Sequence, residues 1–347
     1  MSTPGTALPD WARAFGEPLC EATIRRLPSD FCVTENLAIE FSGDGEHDYL
    51  WIEKTGANTQ WVARQLARHA MARNSDVGFA GQKDRHAVTQ QWFSVPRKGE
   101  GTDWGAFACE GVEILEVTRH QRKLRRGAHK SNSFRIAMRA ESTLFDVQAL
   151  ERRLKEISRS GVPNYFGPQR FGNNASNLYL AGQLFSGKRL HRDKRSIAIS
   201  AARSYLFNEI LNARVRDQTW NRILPGELAN LDGSGSVFQV DDPDEELERR
   251  CEEMDIHPTA TMFGLQSEKP PGAMSPGVVA QIELDATNAC SDLKVGLERL
   301  GVTPSHRALR LRAQHLSWHF EEDALWLDFT LTKGAFATSV LREIAEI

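Results

Sequence analysis

The stretch GFAGQKDRHAVTQQWFS, residues 78–94, joins a short glycine-bounded loop to an alternating run that predicts a β-strand. Within the loop, Asp84 lies between the two cations Lys83 and Arg85. These neighbours favour an ionised carboxylate, which suits nucleophilic attack or charge stabilisation better than proton donation. The same residue types are also typical of a solvated turn, so the stretch alone is compatible with a catalytic loop or a surface hairpin.

On both sides of this stretch, hydrophobic periodicity predicts a chain of mixed α and β elements. Strand patterns occupy residues 30–39, 49–53, 89–95, 112–117, 133–138, 309–320 and 325–331. Helical patterns occupy residues 58–70, 146–157, 175–185, 200–215 and 335–347. Between them, residues 161–172 have the composition of a structured loop or a domain connector, and residues 224–276 are loop-rich and acidic.

The composition indicates a soluble globular protein of the reducing cytoplasm. With 347 residues, 40% of them hydrophobic and 26% charged, the chain is long enough for two domains. Its 5 cysteines are scattered without a CxxC pair, which argues against a disulfide framework and a zinc knuckle. We find no signal-peptide pattern and no apolar run of about 20 residues, so we expect no membrane segment. We also find no coiled-coil pattern, so we expect a monomer.

The net charge of −3 conceals two strongly polarised segments. Residues 119–139 hold eight lysines or arginines and no acid, whereas residues 241–255 hold nine acids and two arginines. A concentrated basic segment in an otherwise acidic chain is typical of a protein that binds a phosphate backbone. A solvated basic hairpin would show the same composition, so both interpretations stay open at this point.

Several familiar kinds of site are missing from the sequence. It contains no HExxH, GxxxxGK[ST] or GxSxG motif, no GxGxxG after a strand, and no HxE…PCxxC deaminase signature. The histidines also lack metal-ligand spacing. A mechanism built on a carboxylate, without metal or cofactor, survives this elimination, and Asp84 is the best-placed candidate.

Six segments, in order, resemble the TruD-type tRNA pseudouridine synthases. FAGQKDRHAVTQQWFS (79–94) is similar to that family's GxKDxxAxTxQ signature, whose aspartate is the catalytic residue. VPNYFGPQRFG (162–172) resembles the start of its insertion domain, and KGAFATSVLREI (333–344) resembles its C-terminal motif. The remaining matching segments are DFCVTENL (30–37), GDGEHDYL (43–50) and HQRKLRRGAHKSNSF (120–134). The resemblance therefore covers residues 25–344, nearly the whole chain.

The resemblance implies a fold and an activity. The fold is α/β in an α+β style, with a catalytic domain on a largely antiparallel mixed sheet (1–157 and 307–347) and an inserted smaller α/β TRUD domain (158–306). The activity is isomerisation of uridine to pseudouridine in tRNA, at position 13 of the D arm, by base flipping and without a cofactor. The expected partner is therefore tRNA.

The resemblance also implies site residues. Asp84 is the catalytic carboxylate, which would attack the sugar, attack the base or abstract a sugar proton; the sequence does not distinguish these roles. Arg25 is expected to pair with Asp84, and Lys83 and His86 to support the loop. The residues expected to contact the target nucleotide are Phe31, Asn132, Phe134 and Phe336. The cations expected to contact the tRNA backbone are Arg119, Arg122, Lys123, Arg125, Arg126 and Lys130.

Two other functions remain as alternatives. The first is a non-catalytic RNA-binding or RNA-chaperone protein of the same fold, against which the intact Asp84 segment and C-terminal motif argue. The second is a hydrolase of the glycosidase type, which generally needs a second acid paired with the first. No such acid is evident near Asp84 in the sequence.

Overall fold

The computed structural model of the chain describes residues 8–140, 145–265, 277–321 and 323–347. Two compact units are distinguished by their internal contacts. Unit 1 comprises residues 1–19, 147–312 and 335–345, and unit 2 comprises residues 20–146, 313–334 and 346–347. Within the described ranges, no helix is both long and apolar enough to cross a membrane. The domain boundaries implied by the resemblance stay a prediction.

The elements are numbered along the chain. The strands are β1 (Phe31–Leu37), β2 (His47–Thr55), β3 (Gly78–Phe79), β4 (Val88–Pro96), β5 (Val112–His120), β6 (His129–Arg139), β7 (Val162–Pro163), β8 (Glu227–Leu231), β9 (Val237–Val240), β10 (Ile256–Met262), β11 (Ser305–Ala308), β12 (Arg310–Leu311), β13 (Gln314–Glu321) and β14 (Ala324–Thr332). The helices are α1 (Thr59–His69), α2 (Val147–Ser160), α3 (Ser176–Phe185), α4 (Arg192–Arg216), α5 (Glu245–Glu252), α6 (Val278–Ala286), α7 (Ser291–Arg299) and α8 (Ala337–Leu341).

Unit 2 contains an eight-stranded mixed sheet. Its strand order is β13-β14-β6-β1-β4-β2-β5, and the short β3 pairs with β4. Strands β1 and β4 run parallel, whereas the other pairings along this path are antiparallel. The largely antiparallel mixed sheet predicted for the catalytic domain is therefore confirmed, as is the mixed α/β class of the chain.

The core of unit 2 follows from two simple periodicities. Along β2, the alternating residues Leu50 and Ile52 point to the same face of the sheet. On α1, Val62 and Leu66 are four residues apart and therefore share one side of the helix. These four side chains are completely buried together with Phe93 of β4, so the helix is held against the sheet by apolar burial.

The basic segment is not a hairpin. Strands β5 and β6, which flank it, are separated in the sheet by β2, β4 and β1 and do not pair with each other. Their connection must cross the end of the sheet between the strands. The alternative of a solvated basic hairpin is therefore wrong.

Unit 1 contains a four-stranded sheet of order β11-β10-β8-β9 and a separate pair, β12 with β7. Much of its apolar core is formed by α4, whose Leu206, Phe207 and Leu211 are fully buried. The stretch 224–265, which the sequence predicted to be loop-rich, supplies three strands of the sheet and α5. Strand β10 is buried on both faces and therefore lacks the alternation that identifies a half-buried strand. The rest of that prediction, residues 266–276, lies outside the described residues.

Three predicted boundaries are also wrong. The strand expected over 309–320 is divided, because β12 pairs with β7 in unit 1 while β13 pairs with β14 in unit 2. The closing helix expected over 335–347 is confined to the five residues of α8. Helix α4 begins at Arg192 rather than at 200. The sequence did not predict this start, because the first turn, residues 192–196, is polar and exposed and carries no apolar periodicity.

A buried acid in unit 1 should make the stability of the folded protein depend on pH. Glu283 on α6 has no exposed surface and accepts the backbone N–H of Thr261 at 2.8 Å. Burial raises the pKa of Glu283 to about 7, although the Thr261 hydrogen bond opposes this effect. Nearby, Arg214 and Glu227 form a buried ion pair at 3.0 Å. A carboxyl group with a raised pKa keeps its proton in the folded state at pH values where the unfolded chain has released it.

We therefore expect the Glu283→Gln variant to gain stability relative to the parent as the pH rises. The parent should lose stability between about pH 4.5 and pH 7, by roughly 3 kcal/mol if the whole shift is expressed. Urea unfolding at about pH 5 and pH 8 measures the difference, with Glu298→Gln on the exposed side of α7 as the matched control. Equal pH dependence in parent and Glu283→Gln would contradict the assignment.

Candidate active site

The loop that carries Asp84 joins β3 to β4 and is held by buried polar side chains. The Gln91 amide donates to the Gly81 carbonyl at 3.1 Å, and the Thr59 hydroxyl accepts the Lys83 backbone N–H at 2.9 Å. Thr59 in turn donates to the Gln91 side chain at 2.9 Å. Since Thr59 and Gln91 are almost fully buried, these bonds form away from water and fix the loop to α1 and β4.

Lys54 of β2 is bonded to the same loop. Its side chain is completely buried, and its ammonium donates to the backbone carbonyl of Asp84 at 2.8 Å. Burial lowers the pKa of Lys54 to about 8; the Asp84 charge opposes this effect and the Lys83 charge adds to it. A buried cation is thus bonded to the backbone of the residue that bears the candidate catalytic group.

Both oxygens of the Asp84 carboxylate have partners. Arg25 Nη2 lies 3.0 Å from Oδ2, and the backbone N–H of His86 donates to Oδ1 at 2.9 Å. The predicted ion pair with Arg25 is therefore present, whereas Arg85 donates instead to the Gly56 carbonyl. The side chains of Arg25 and Asp84 are 22% and 30% exposed, so the carboxylate is oriented and still reachable from solvent.

Arg25 reaches Asp84 from a backbone conformation that is rare outside glycine. Its φ is +61°, in the left-handed region, which costs on the order of 1 kcal/mol for a residue with a Cβ. The neighbouring chain is anchored by paired backbone hydrogen bonds between Thr23 and Arg139 and by the Arg139–Asp30 ion pair at 2.8 Å. These anchors hold Arg25 in the conformation that its ion pair requires.

Lys83 pairs with a second carboxylate, Glu35 of β1. Its ammonium lies 3.0 Å from Glu35 Oε2 and also donates to Oδ1 of Asn132. Burial raises the pKa of Glu35 and lowers the pKa of Lys83, in each case against the attraction between the two charges. The Glu35 side chain has no exposed surface, unlike the second acid that a hydrolase places against a water molecule.

Aromatic rings lie beside this ion-pair network. The Arg25 guanidinium stands 4.1 Å from the centre of the Phe31 ring, which is buried. Phe134 meets Phe31 edge-on at 6.2 Å and stacks on Phe329 at 5.4 Å. Because Arg25 contacts both Asp84 and Phe31, it connects the carboxylate to the aromatic cluster.

Within unit 2, two groups of predicted site residues are in contact. Arg25 contacts both Asp84 and Phe31, and Lys83 donates to Asn132. His86 contributes its backbone N–H, whereas its side chain is exposed. Phe336 belongs to unit 1, where its ring lies 6.0 Å from Phe166 and 5.7 Å from the Arg170 guanidinium.

The predicted backbone-binding cations all lie in unit 2, and all are exposed. They are Arg119, Arg122, Lys123, Arg125, Arg126 and Lys130. Across the described residues, no group of three or more His, Cys, Asp or Glu side chains is placed to hold a metal ion.

The sequence analysis missed the residues that position the loop, although two of them have a recognisable signature. Lys54 continues the buried face of β2 formed by Leu50 and Ile52, and Glu35 continues the face of β1 begun by Phe31. A charged residue at an inward position of an apolar strand must find a partner there, because an isolated buried charge is very costly. That signal predicts a buried polar network.

Known proteins match the chain over nearly its full length. Residues 13–188 and 186–344 match the family model described as tRNA pseudouridine synthase D, TruD. The tRNA pseudouridine synthase D of Methylococcus capsulatus is 45% identical over 341 residues, covering 97% of this chain and 94% of that protein. The corresponding protein of Psychrobacter arcticus is 43% identical, with 95% and 91% covered.

A solved structure agrees in fold. The crystal structure of a candidate tRNA pseudouridine synthase D from Methanosarcina mazei matches with a TM-score of 0.75, covering 97% of this chain and 96% of that one at 19% identity. The matched family model, the relatives and the fold lead to one conclusion: this chain belongs to the TruD family of tRNA pseudouridine synthases.

Proposed function

We propose that this protein converts uridine to pseudouridine at position 13 of the tRNA D arm, with Asp84 as the catalytic carboxylate. The observation that carries the assignment of Asp84 is its geometry. The side chain is partly exposed, its two oxygens are held by Arg25 and the His86 N–H, and its backbone is bonded to the buried Lys54. A carboxylate oriented in this way is prepared for reaction without further ordering.

The isomerisation breaks the N1–C1′ bond, turns the detached base, and joins C5 to C1′. The proton on C5 is released to solvent as this bond replaces it, and N1, freed from C1′, takes up a proton from solvent, so atoms and charge balance without an oxidant or a reductant. Attack on C1′, attack on the base and abstraction of a sugar proton each use the carboxylate form of Asp84, which is the form that pairs with the Arg25 guanidinium at 3.0 Å.

The reacting uridine must leave the base stack to reach Asp84. We propose that Asn132 reads the uracil edge, because its Oδ1 already accepts a hydrogen bond from Lys83 and its amide NH₂ is left to donate to a uracil carbonyl. Phe31, Phe134 and Phe336 are the proposed aromatic contacts of the nucleotide. Among them, Phe134 and Phe336 retain partly exposed rings in the structure.

The proposal also covers the compartment, the oligomeric state, the cofactor requirement and the inserted domain. We propose a cytoplasmic monomer that acts on tRNA without metal or organic cofactor, with residues 158–306 as an inserted TRUD domain. The cysteine pattern supports a reducing compartment, and the lack of a coiled-coil pattern supports a monomer.

Tritium release from tRNA labelled at C5 of uridine tests the activity and the position together. We expect the protein to release tritium from a tRNA transcript with uridine at position 13 and to release none above background when that base is cytidine. Release at an equal rate from both transcripts would contradict the assignment to position 13. No release from any uridine-containing tRNA would support the non-catalytic alternative.

A further inference from the structure

A groove on unit 2 lies beside the Asp84 loop and is lined by cations from two separate parts of the chain. Its cavity volume is about 560 Å³. Its walls come from α1, the turn before β3, β3 itself and the connection between β5 and β6. We call it the basic groove, and its charged lining residues are Arg64, Lys123, Arg125 and Arg126.

The basic groove has no acidic lining residue. Nearby Asp76 is already engaged by Arg73, which contacts both carboxylate oxygens at 2.9 and 3.3 Å. Arg64 and Arg125 are exposed, and the described residues show no ion pair for either of them. The groove therefore carries a net positive charge that protein groups leave uncompensated, which favours an anionic ligand.

The connection that supplies three of these cations is anchored. Tyr49 donates to the Arg122 carbonyl at 2.8 Å, and Ser94 accepts the N–H of the buried Leu124 at 2.9 Å. Gly78 makes this close approach possible, because a Cβ there would lie 2.4 Å from the Leu124 carbonyl oxygen. The Lys123–Arg126 chain is thus fixed against β3.

The cations themselves are partly preorganised. The Arg126 guanidinium lies 3.5 Å from the centre of the buried Phe79 ring, and the Lys123 ammonium donates to the Ser75 carbonyl. A guanidinium stacked on an aromatic ring keeps its N–H groups available at its edge, where they match the oxygens of a phosphate. Less side-chain entropy is then lost when an anion binds.

The basic groove continues toward the loop of Asp84. A smaller cavity of about 260 Å³ is lined by Gln82 and Lys83, the two residues that precede Asp84. Both cavities share Gln60 and Arg64 of α1. Arg64 therefore stands where the groove meets the loop.

We propose that the basic groove holds the phosphodiester backbone of the RNA strand that leads to the flipped uridine, with Arg64 as a phosphate contact at its junction with the loop. This inference rests on the proposed function. It adds Arg64, which the basic segment does not include, and it separates the predicted cations. Lys123, Arg125 and Arg126 line the groove, whereas Arg119, Arg122 and Lys130 do not.

The test compares two arginines on the same helix. Arg64 and Arg68 of α1 are both exposed and four residues apart, but Arg68 lies outside the groove and bonds to Gln65. We expect Arg64→Gln to weaken tRNA binding about five-fold and to lower the slope of log affinity against log salt concentration by about one. Arg68→Gln should leave affinity and slope close to those of the parent.

A second variant, Arg125→Gln, tests the opposite wall of the groove and should behave like Arg64→Gln. Thermal unfolding of each variant checks that it is folded, and the control Arg68→Gln, which lies outside the groove, should release tritium at a rate close to that of the parent. If Arg64→Gln and Arg125→Gln bind tRNA as Arg68→Gln does while the parent releases tritium, the groove assignment is wrong and the proposed function stands. If the parent releases no tritium, the proposed function itself fails.

Discussion

Replacing Asp84 by asparagine should abolish pseudouridine formation, with tritium release reduced at least about 1,000-fold. Asparagine is nearly isosteric and keeps an oxygen that accepts the His86 N–H, so the loop retains that bond. What it loses is the negative charge, which every proposed role of the residue requires. Single-turnover tritium release with enzyme in excess over tRNA measures this loss of chemistry independently of product release.

The same variant should fold and bind tRNA normally. The Arg25–Asp84 ion pair is partly exposed, and such pairs contribute about 1 kcal/mol or less to stability. Binding should be unchanged or slightly tighter, because one negative charge is removed from the surface that meets the RNA. Asp44→Asn, at an exposed position, is the matched control and should behave like the parent. Pseudouridine formation by Asp84→Asn at a rate near that of the parent would disprove the central claim.

Replacing Lys54 by methionine should lower kcat about 10- to 100-fold while leaving the fold intact. The variant removes a charged hydrogen bond to the Asp84 carbonyl and a buried cation near its carboxylate, and a hydrogen bond of this kind contributes roughly 1.5–3 kcal/mol. KM for tRNA should change little, because the ammonium is buried and cannot meet the RNA. Lys98→Met is the matched control: Lys98 also donates to a backbone carbonyl, that of Met71, but it is exposed.

The pH dependence separates this role from a purely structural one. Because the pKa of Lys54 is lowered to about 8, the parent should lose activity as the pH rises through that value. Lys54→Met has no such group, so its lower activity should be flat across the same range. The same alkaline decline in parent and variant would rule out Lys54 as its source.

As the pH rises above about 8, the Lys54 contribution to folding stability should increase while the activity of the parent falls. Between about pH 8 and pH 10.5 the unfolded chain keeps the Lys54 proton that the folded state has released. The buried charge is therefore a cost to the folded state at neutral pH, and that cost falls as the pH rises through this window. We expect Lys54→Met to unfold at the same or a higher temperature than the parent at pH 7. A large loss of stability would show that Lys54 is mainly structural.

The sequence predicts those features of the fold that depend on neighbouring residues. The alternation of Leu325, Leu327, Phe329 and Leu331 predicted a strand with one buried face, and β14 has it. The spacing of Val62 and Leu66 likewise predicted α1. Strand β10 was not predicted because it is buried on both faces, and the first turn of α4 was not predicted because residues 192–196 include no apolar side chain. Hydrophobic periodicity identifies strands and helices with one buried face, and it does not identify elements that are buried or exposed on all sides.

The candidate carboxylate and the family of the chain can be identified from the sequence, because Asp84 lies in a continuous motif and the order of the matching segments is specific. The resemblance to that family also predicted Arg25 as the charge partner of Asp84. The surroundings of Asp84 and Arg25 depend on the tertiary structure. It placed Lys54 against the Asp84 backbone, paired Lys83 with Glu35, and set Arg64 beside the basic connection. Each of these contacts joins strands, helices or loops that are distant in sequence and are brought together by sheet pairing and apolar burial, which a linear motif does not encode.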